Sequence, residues 1–174
     1  MDIRKLTEKD WDAFRALRLE ALKLSPEAFG SSYEEESILS SEDFQQGFKN
    51  CDMFGAFIHN QIVGCAGFFI HSSKKSNHRG QIIAMYTRSD FRHHGIGDAL
   101  LKMIIKHAAK HVLQLHLTVV TSNQPAIALY QKNGFKIYGT EPRSLRIDTD
   151  FYDEHFMILE YPQQIAFQQK TQDH

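Results

Sequence analysis

Gln81-Ile82-Ile83-Ala84-Met85-Tyr86-Thr87, followed by Arg92-His93-His94-Gly95-Ile96-Gly97, is the stretch around which this chain is organised. The first run is apolar and strand-like. After it, Ile96, Ala99, Leu100, Met103, Ile104, Ala108 and Val112 recur at three- and four-residue steps, which predicts a helix over Ile96 to Val112 with one buried face. Asp98, Lys102, Lys106 and Lys110 fall opposite, and Asp98 and Lys102 form an i,i+4 pair. A strand, a short loop with two glycines and a helix leave bare backbone N–H groups at a helix N-terminus, an end that carries partial positive charge. Such an end suits a phosphate. Gly95 and Gly97 let an anion approach the backbone, and Arg92 adds a fixed cation. The loop is therefore expected to hold a pyrophosphate.

Working outward, Met1 to Leu6 reads as a short strand. Thr7 reads as an N-cap with Asp10 as its capping-box partner, and Leu6 and Trp11 as a hydrophobic staple. Trp11, Phe14, Leu17, Ala21 and Leu24 mark one helix face, ended by Ser25-Pro26. Ser40 or Ser41 caps a second short helix through Phe48. Met53 to His59 and Ile62 to Ile70 read as a hairpin turning at Asn60-Gln61. The second strand is apolar on both faces, so it belongs in the middle of a sheet, and Gly64 and Gly67 suggest a bulge or close backbone approach. Leu115 to Val120 alternates as a strand. Ser122 or Asn123 caps a helix over Ala126 to Asn133, with Gly134 as its C′ residue. Phe135 to Gly139 and Phe151 to Glu160 are the last two strands, separated by a loop with Pro142 and Arg143.

The chain has 174 residues, enough for one domain, and is 42% hydrophobic. Twenty Lys and Arg stand against 21 Asp and Glu, a formal net charge of −1, so nothing electrostatic argues for nucleic acid or an anionic membrane as partner. No apolar run is long enough for a spanning helix, and the first nine residues lack a signal core. Cys51 and Cys65 make no C-x-x-C motif and no disulfide framework, so a reduced cytoplasm is the expected location. Residues 1–161 form the expected domain, and residues 162–174 a polar tail.

The glycine loop lacks the G-x-x-x-x-G-K-[ST] of a P-loop. It also fails the dinucleotide fingerprint, because position 100, where a third glycine belongs, is Leu100. A second motif narrows the reading: Asn123-Gln124-Pro125-Ala126-Ile127-Ala128-Leu129-Tyr130-Gln131-Lys132-Asn133-Gly134-Phe135. Together with Arg92 to Gly97, at this spacing, it resembles the GNAT superfamily of acyl-CoA-dependent N-acetyltransferases, which pairs an [RQ]-x-x-G-x-[GA] loop with N-x-x-A-x-x-[LF]-Y-x-x-x-G-F. The resemblance covers most of residues 1 to 160. It implies one α/β (α+β) domain, a mixed, mostly antiparallel sheet flanked by helices.

It also implies roles. The amides of His93, His94, Gly95, Ile96 and Gly97 would hold the pyrophosphate of acetyl-CoA, with Arg92 beside them. The backbone of Met85, Tyr86 and Thr87 would pair with the pantetheine arm, and Asn123 would hold that arm from the other side. Lys132 would reach the outer phosphates, or simply be an exposed lysine at a helix end. Tyr130 would point its hydroxyl at the thioester sulfur. A phenol near pKa 10 donating to a thiolate near 8.5 is uphill by roughly 2 kcal/mol, small beside a typical barrier. Direct transfer in a ternary complex to a primary amine of a small molecule or peptide is expected, since no cysteine lies in a matched motif. A non-catalytic acyl-CoA sensor is the alternative.

Many members of that family carry a glutamate on the strand before the loop, whereas Gln81 to Thr87 has no carboxylate. Glu34, Glu35 and Asp150 to Glu154 are base candidates by elimination, and a water path is the other route. No metal is expected: the ten histidines form no metal motif, and His107 and His111, four apart on a helix, read as surface or packing residues. The acidic run Glu34 to Glu36 would attract a cationic acceptor or simply face solvent. The oligomeric state is open, with a homodimer among the options.

Overall fold

A computed structural model describes residues 1–161; the expected polar tail lies outside the described residues. The elements, in order, are β1 (Asp2–Lys5), α1 (Trp11–Leu24), α2 (Tyr33–Ser37), α3 (Ser41–Gly47), β2 (Asp52–Ile58), β3 (Gln61–Ile70), β4 (Arg79–Thr87), α4 (Ile96–Ala108), β5 (Gln114–Val120), α5 (Gln124–Lys132), β6 (Lys136–Ile147) and β7 (Asp150–Glu160). The strands form one sheet in the order β1-β2-β3-β4-β5-β7-β6, antiparallel throughout except between β4 and β5. β3 is central, as its two-sided apolar pattern requires. Val63, Ala66 and Phe68 pack with α4, and Ile62 and Cys65 pack with Phe14 and Leu17 of α1.

The parallel pair matters most. β4 and β5 are in register only over Arg79↔Gln114, Gly80↔Leu115 and Gln81↔His116. Beyond Gln81 the two strands part, and their C-terminal halves form the arms of a fork. α4 packs on the sheet through Leu100, Leu101, Ile104 and Ala108, all buried. Its Asp98–Lys102 pair closes at 2.6 Å.

The Thr7 capping box forms: the Asp10 carboxylate accepts from the Thr7 amide at 2.8 Å, and two bonds from Arg4 reach the same carboxylate. The Arg4 guanidinium holds the Asp10 carboxyl well below the usual carboxylate range, with Thr7 adding to the effect. A carboxyl whose folded pKa is depressed contributes stability that is fully present above the unfolded value near 4 and is lost as pH falls through the lower folded value. Asp10→Ala is expected to cost about 1–2 kcal/mol at neutral pH. The denaturant midpoint checks this, and the difference from wild type should shrink in acid.

Several expectations shift. Leu24 is 62% exposed: it is the last residue of α1, beyond the buried Ala21 and Leu22. The hairpin turns at His59-Asn60, one residue earlier than expected, where both residues have positive φ as a two-residue turn requires. Around the β3 glycines, the extra residue opposite β2 is Val63, next to Gly64. Gly67 marks close approach, because a Cβ there would lie 2.6 Å from Met53 Sδ. The helix Ile96 to Val112 stops at Ala108, and tight turns carry the buried Val112 toward β5. The loop expected around Pro142 and Arg143 is the middle of β6, a long edge strand. The ladder skips between Glu141 and Leu145, so Pro142 needs no ladder bond, and the Arg143 amide donates to Asp153 at 2.8 Å instead.

Candidate active site

The loop between β4 and α4 forms a cradle of backbone amides. A tight turn over Ser89–Phe91 brings Arg92 back, and its Nε donates to the Thr87 carbonyl at 3.1 Å. His93 and Gly95 both take left-handed φ, 64° and 76°, so the backbone coils into the helix at Gly95. The amides of Ile96, Gly97 and Asp98 then have no backbone acceptor among the described residues. Their donors and the helix dipole point the same way. A Cβ on Gly97 would lie 3.4 Å from Leu129 and 3.8 Å from Met85, so position 97 forms the floor between α5 and β4.

α5 is placed from both ends. The Asn123 side chain caps it by accepting from Ala126 at 3.3 Å, and Gly134 exits with φ 93°. This puts Tyr130 at the fork, 6% exposed, its ring edge against Phe135 at 6.0 Å. Its hydroxyl has no hydrogen-bond partner among the described residues, and burial pushes its pKa up to about 12.

Fork, cradle and Tyr130 open into one cavity of about 1170 Å³, which extends past the strands to the connection from α1 through α3. Met85, Tyr86, Thr87, Arg92, His93, Gly95, Ile96, Gly97, Asn123 and Tyr130 all line it. Two expected residues do not. His94 turns away, its Nδ1–H donating to the Arg92 carbonyl at 2.7 Å. Lys132 stands on the far end of α5, 70% exposed and 3.8 Å from Asp98.

The carboxylates divide differently from the expectation. Glu34 and Glu35 lie off the cavity, and Glu35 is occupied in a capping box with Ser32. Glu36 lines the cavity and is bound by Arg18 of α1 at 2.7 and 3.0 Å, a pair that ties α2 to α1. Glu27, Asp43 and Glu154 line the same cavity, and Glu154 accepts from the Ser144 hydroxyl at 2.6 Å. Arg18 was legible as a charge four residues after Phe14, on the apolar face of α1. Glu27 and Asp43 carried no sequence signal. His107 is engaged at 2.6 Å by Asp52, and among the described residues no group of three or more His, Cys, Asp or Glu could hold a metal.

A parallel pair of strands thus forks over a helix N-terminus, with a tyrosine at the fork. Residues 11–135 match the model of the acetyltransferase (GNAT) family, and the chain belongs to that family. It is an enzyme of the N-acetyltransferase type. The spermidine N(1)-acetyltransferase of Thermoplasma acidophilum is 25% identical over 154 residues, spanning 81% of this chain and 91% of that protein. Among solved structures, a GNAT-family acetyltransferase from Streptococcus pneumoniae superposes with a TM-score of 0.81 at 27% identity, covering 91% of this chain and 98% of that one. A putative acetyltransferase from Salmonella typhimurium, solved with its cofactor acetyl-CoA, has the same fold at a TM-score of 0.80 and 17% identity, covering 92% and 93%. Among the described residues no helix is long and apolar enough to cross a membrane.

Proposed function

We propose that the chain transfers the acetyl group of acetyl-CoA directly to a primary amine of a cationic small molecule or peptide, with both substrates bound together. The cavity carries this reading: an anion cradle, Tyr130 and the carboxylates of Glu27, Glu36, Asp43 and Glu154 line one continuous space. The amides of Ile96 and Gly97, with Arg92, hold the pyrophosphate. The β4 segment Met85 to Thr87 pairs with the pantetheine arm across the fork, and Asn123 bounds it on the α5 side. The acceptor nitrogen attacks the thioester carbonyl carbon, the carbon–sulfur bond breaks, and the thiolate leaves beside the Tyr130 hydroxyl. The amine's surplus proton passes to water in the cavity.

With Tyr130 near pKa 12, full proton transfer to a thiolate near 8.5 is uphill by about 5 kcal/mol. Tyr130 therefore acts chiefly by donating a hydrogen bond to the departing sulfur, which stabilises its charge without requiring the proton to move.

Glu27, Glu36, Asp43 and Glu154 against the single Arg18 leave the part of the cavity assigned to the acceptor net negative. A polyamine fits that field, in keeping with the acceptor in the Thermoplasma protein's name. Thiol release from acetyl-CoA across a panel of polyamines, amino acids and peptides tests the assignment, with polyamines expected to turn over at the lowest KM. Coenzyme A binding without turnover on any amine would instead mark an acyl-CoA sensor. Changing Glu27 and Asp43 together to Gln and Asn should raise the polyamine KM roughly tenfold, at about 0.5–1 kcal/mol per exposed charge contact, and leave the acetyl-CoA KM unchanged.

A further inference from the structure

The fork contains one backbone distortion. Cys65 pairs with Tyr86 and Gly67 with Ile83, so the single residue Ala66 of β3 faces two residues of β4, Ala84 and Met85. Ala84 takes φ 53°, a left-handed conformation that costs energy for any residue with a Cβ, and no glycine relieves it. A strained bulge beside a reaction centre persists only where its surroundings hold it.

One contact does so. The Cys65 thiol donates to the Ala84 carbonyl at 3.2 Å. Cys65 is 1% exposed and packs on the α1 side of the sheet, in the cluster that includes Phe14, Leu17 and Tyr86. The peptide joining Ala84 to Met85 is trans, so its C=O and N–H point in opposite directions. With the Ala84 oxygen held by Cys65, the Met85 N–H is directed away from Cys65, and Met85 lines the cavity that opens where β5 has diverged from β4.

We propose that Cys65 is a positioning residue for acyl transfer: its thiol fixes the Ala84–Met85 peptide so that the Met85 N–H is presented to the carbonyl oxygen of the bound thioester. The proposal rests on the acetyl-transfer reading above. When the amine attacks, negative charge gathers on that oxygen, and a donor already aimed there stabilises it without reorganising. Burial pushes the Cys65 thiol up to about 12, so it keeps its proton, and its capacity to donate, across the working pH range.

Three variants separate donation from packing: Cys65→Val fills the space without a donor, Cys65→Ser keeps a donor, and Cys65→Ala removes both. A loosened rather than deleted donor should lower kcat about tenfold in Cys65→Val, below the hundredfold or more seen when such a donor is lost outright. The acetyl-CoA KM should stay within about twofold, because the pyrophosphate cradle is untouched. Cys65→Ser should recover most of the rate. In parallel, the Met85 backbone amide resonance of the free protein should move in Cys65→Val and return in Cys65→Ser. Wild-type kcat in Cys65→Val, or a Met85 resonance that ignores the donor, would overturn the proposal. The resonance needs no turnover. If the wild type proves inactive, the acetyl-transfer reading fails on its own, and an unmoved Met85 amide still refutes the hold of Cys65 on the peptide.

Discussion

Tyr130→Phe is expected to lower kcat about a hundredfold while leaving the KM values for acetyl-CoA and the amine within a factor of two to three. Loss of a single charge-stabilising donor typically costs 10²–10³ in rate. The hydroxyl has no hydrogen-bond partner among the described residues, so removing it breaks no structural bond, while the ring still fills its place against Phe135. Stability should therefore change little, which separates this variant from a folding defect. The pH dependence follows from the same burial. A phenol pushed up to about 12 stays protonated throughout the usual assay range, so no limb of the profile below about pH 11 should belong to Tyr130. The acceptor amine, which must be neutral to attack, sets the rise in rate with pH. An unchanged kcat in Tyr130→Phe with an identified amine would remove the role assigned here.

Gly97→Asp is the second large effect, and its two consequences have opposite signs. Position 97 lies in the first turn of α4, where an acidic side chain complements the helix dipole and any residue other than glycine lowers the entropy lost on folding. A Cβ there meets only ordinary contacts, at 3.4 Å and beyond. The free protein should be as stable as wild type or slightly more so. Acetyl-CoA binding should weaken about a hundredfold, near 2.7 kcal/mol, because the new carboxylate sits where the pyrophosphate must approach the amides. Calorimetric titration with coenzyme A and a thermal melt of the free protein read the two effects separately. A weakened affinity accompanied by an equal loss of stability would point to a damaged helix rather than a blocked cradle.

What the residues disclosed, and what they withheld, follows from the range of the forces involved. The cradle and α5 were legible because caps, glycines and helical periodicity are local: Asn123, Gly134 and the buried face of α4 act within a few residues of themselves. The fork is written in no local pattern, since nothing in Gln81 to Thr87 states that β5 will leave it after three paired residues. The β4 bulge was not seen. Ala84 is not the glycine that a positive φ advertises, and the thiol opposite it is 19 residues away in sequence. The long β6 was hidden by Pro142, which an edge strand tolerates at a bulge. Lys132 and His94 fell inside motifs yet do not line the cavity, because a motif fixes backbone and not the direction of every side chain. The carboxylates of Glu27, Glu36, Asp43 and Glu154 reach the cavity from four separate segments, and no local pattern encodes such a convergence.

Acetyl-CoA and the amine are expected to meet in this cavity in a single acyl transfer. Incubating the wild-type protein with acetyl-CoA and a polyamine, and following free thiol, acetylated amine and protein mass together, tests it most directly. The expected result is one acetylated amine for each thiol released, a rate that saturates in both substrates, and a protein whose mass never gains an acetyl group. Thiol release with acetyl-protein accumulating and no acetylated amine, or acetyl-CoA bound without turnover, would contradict it.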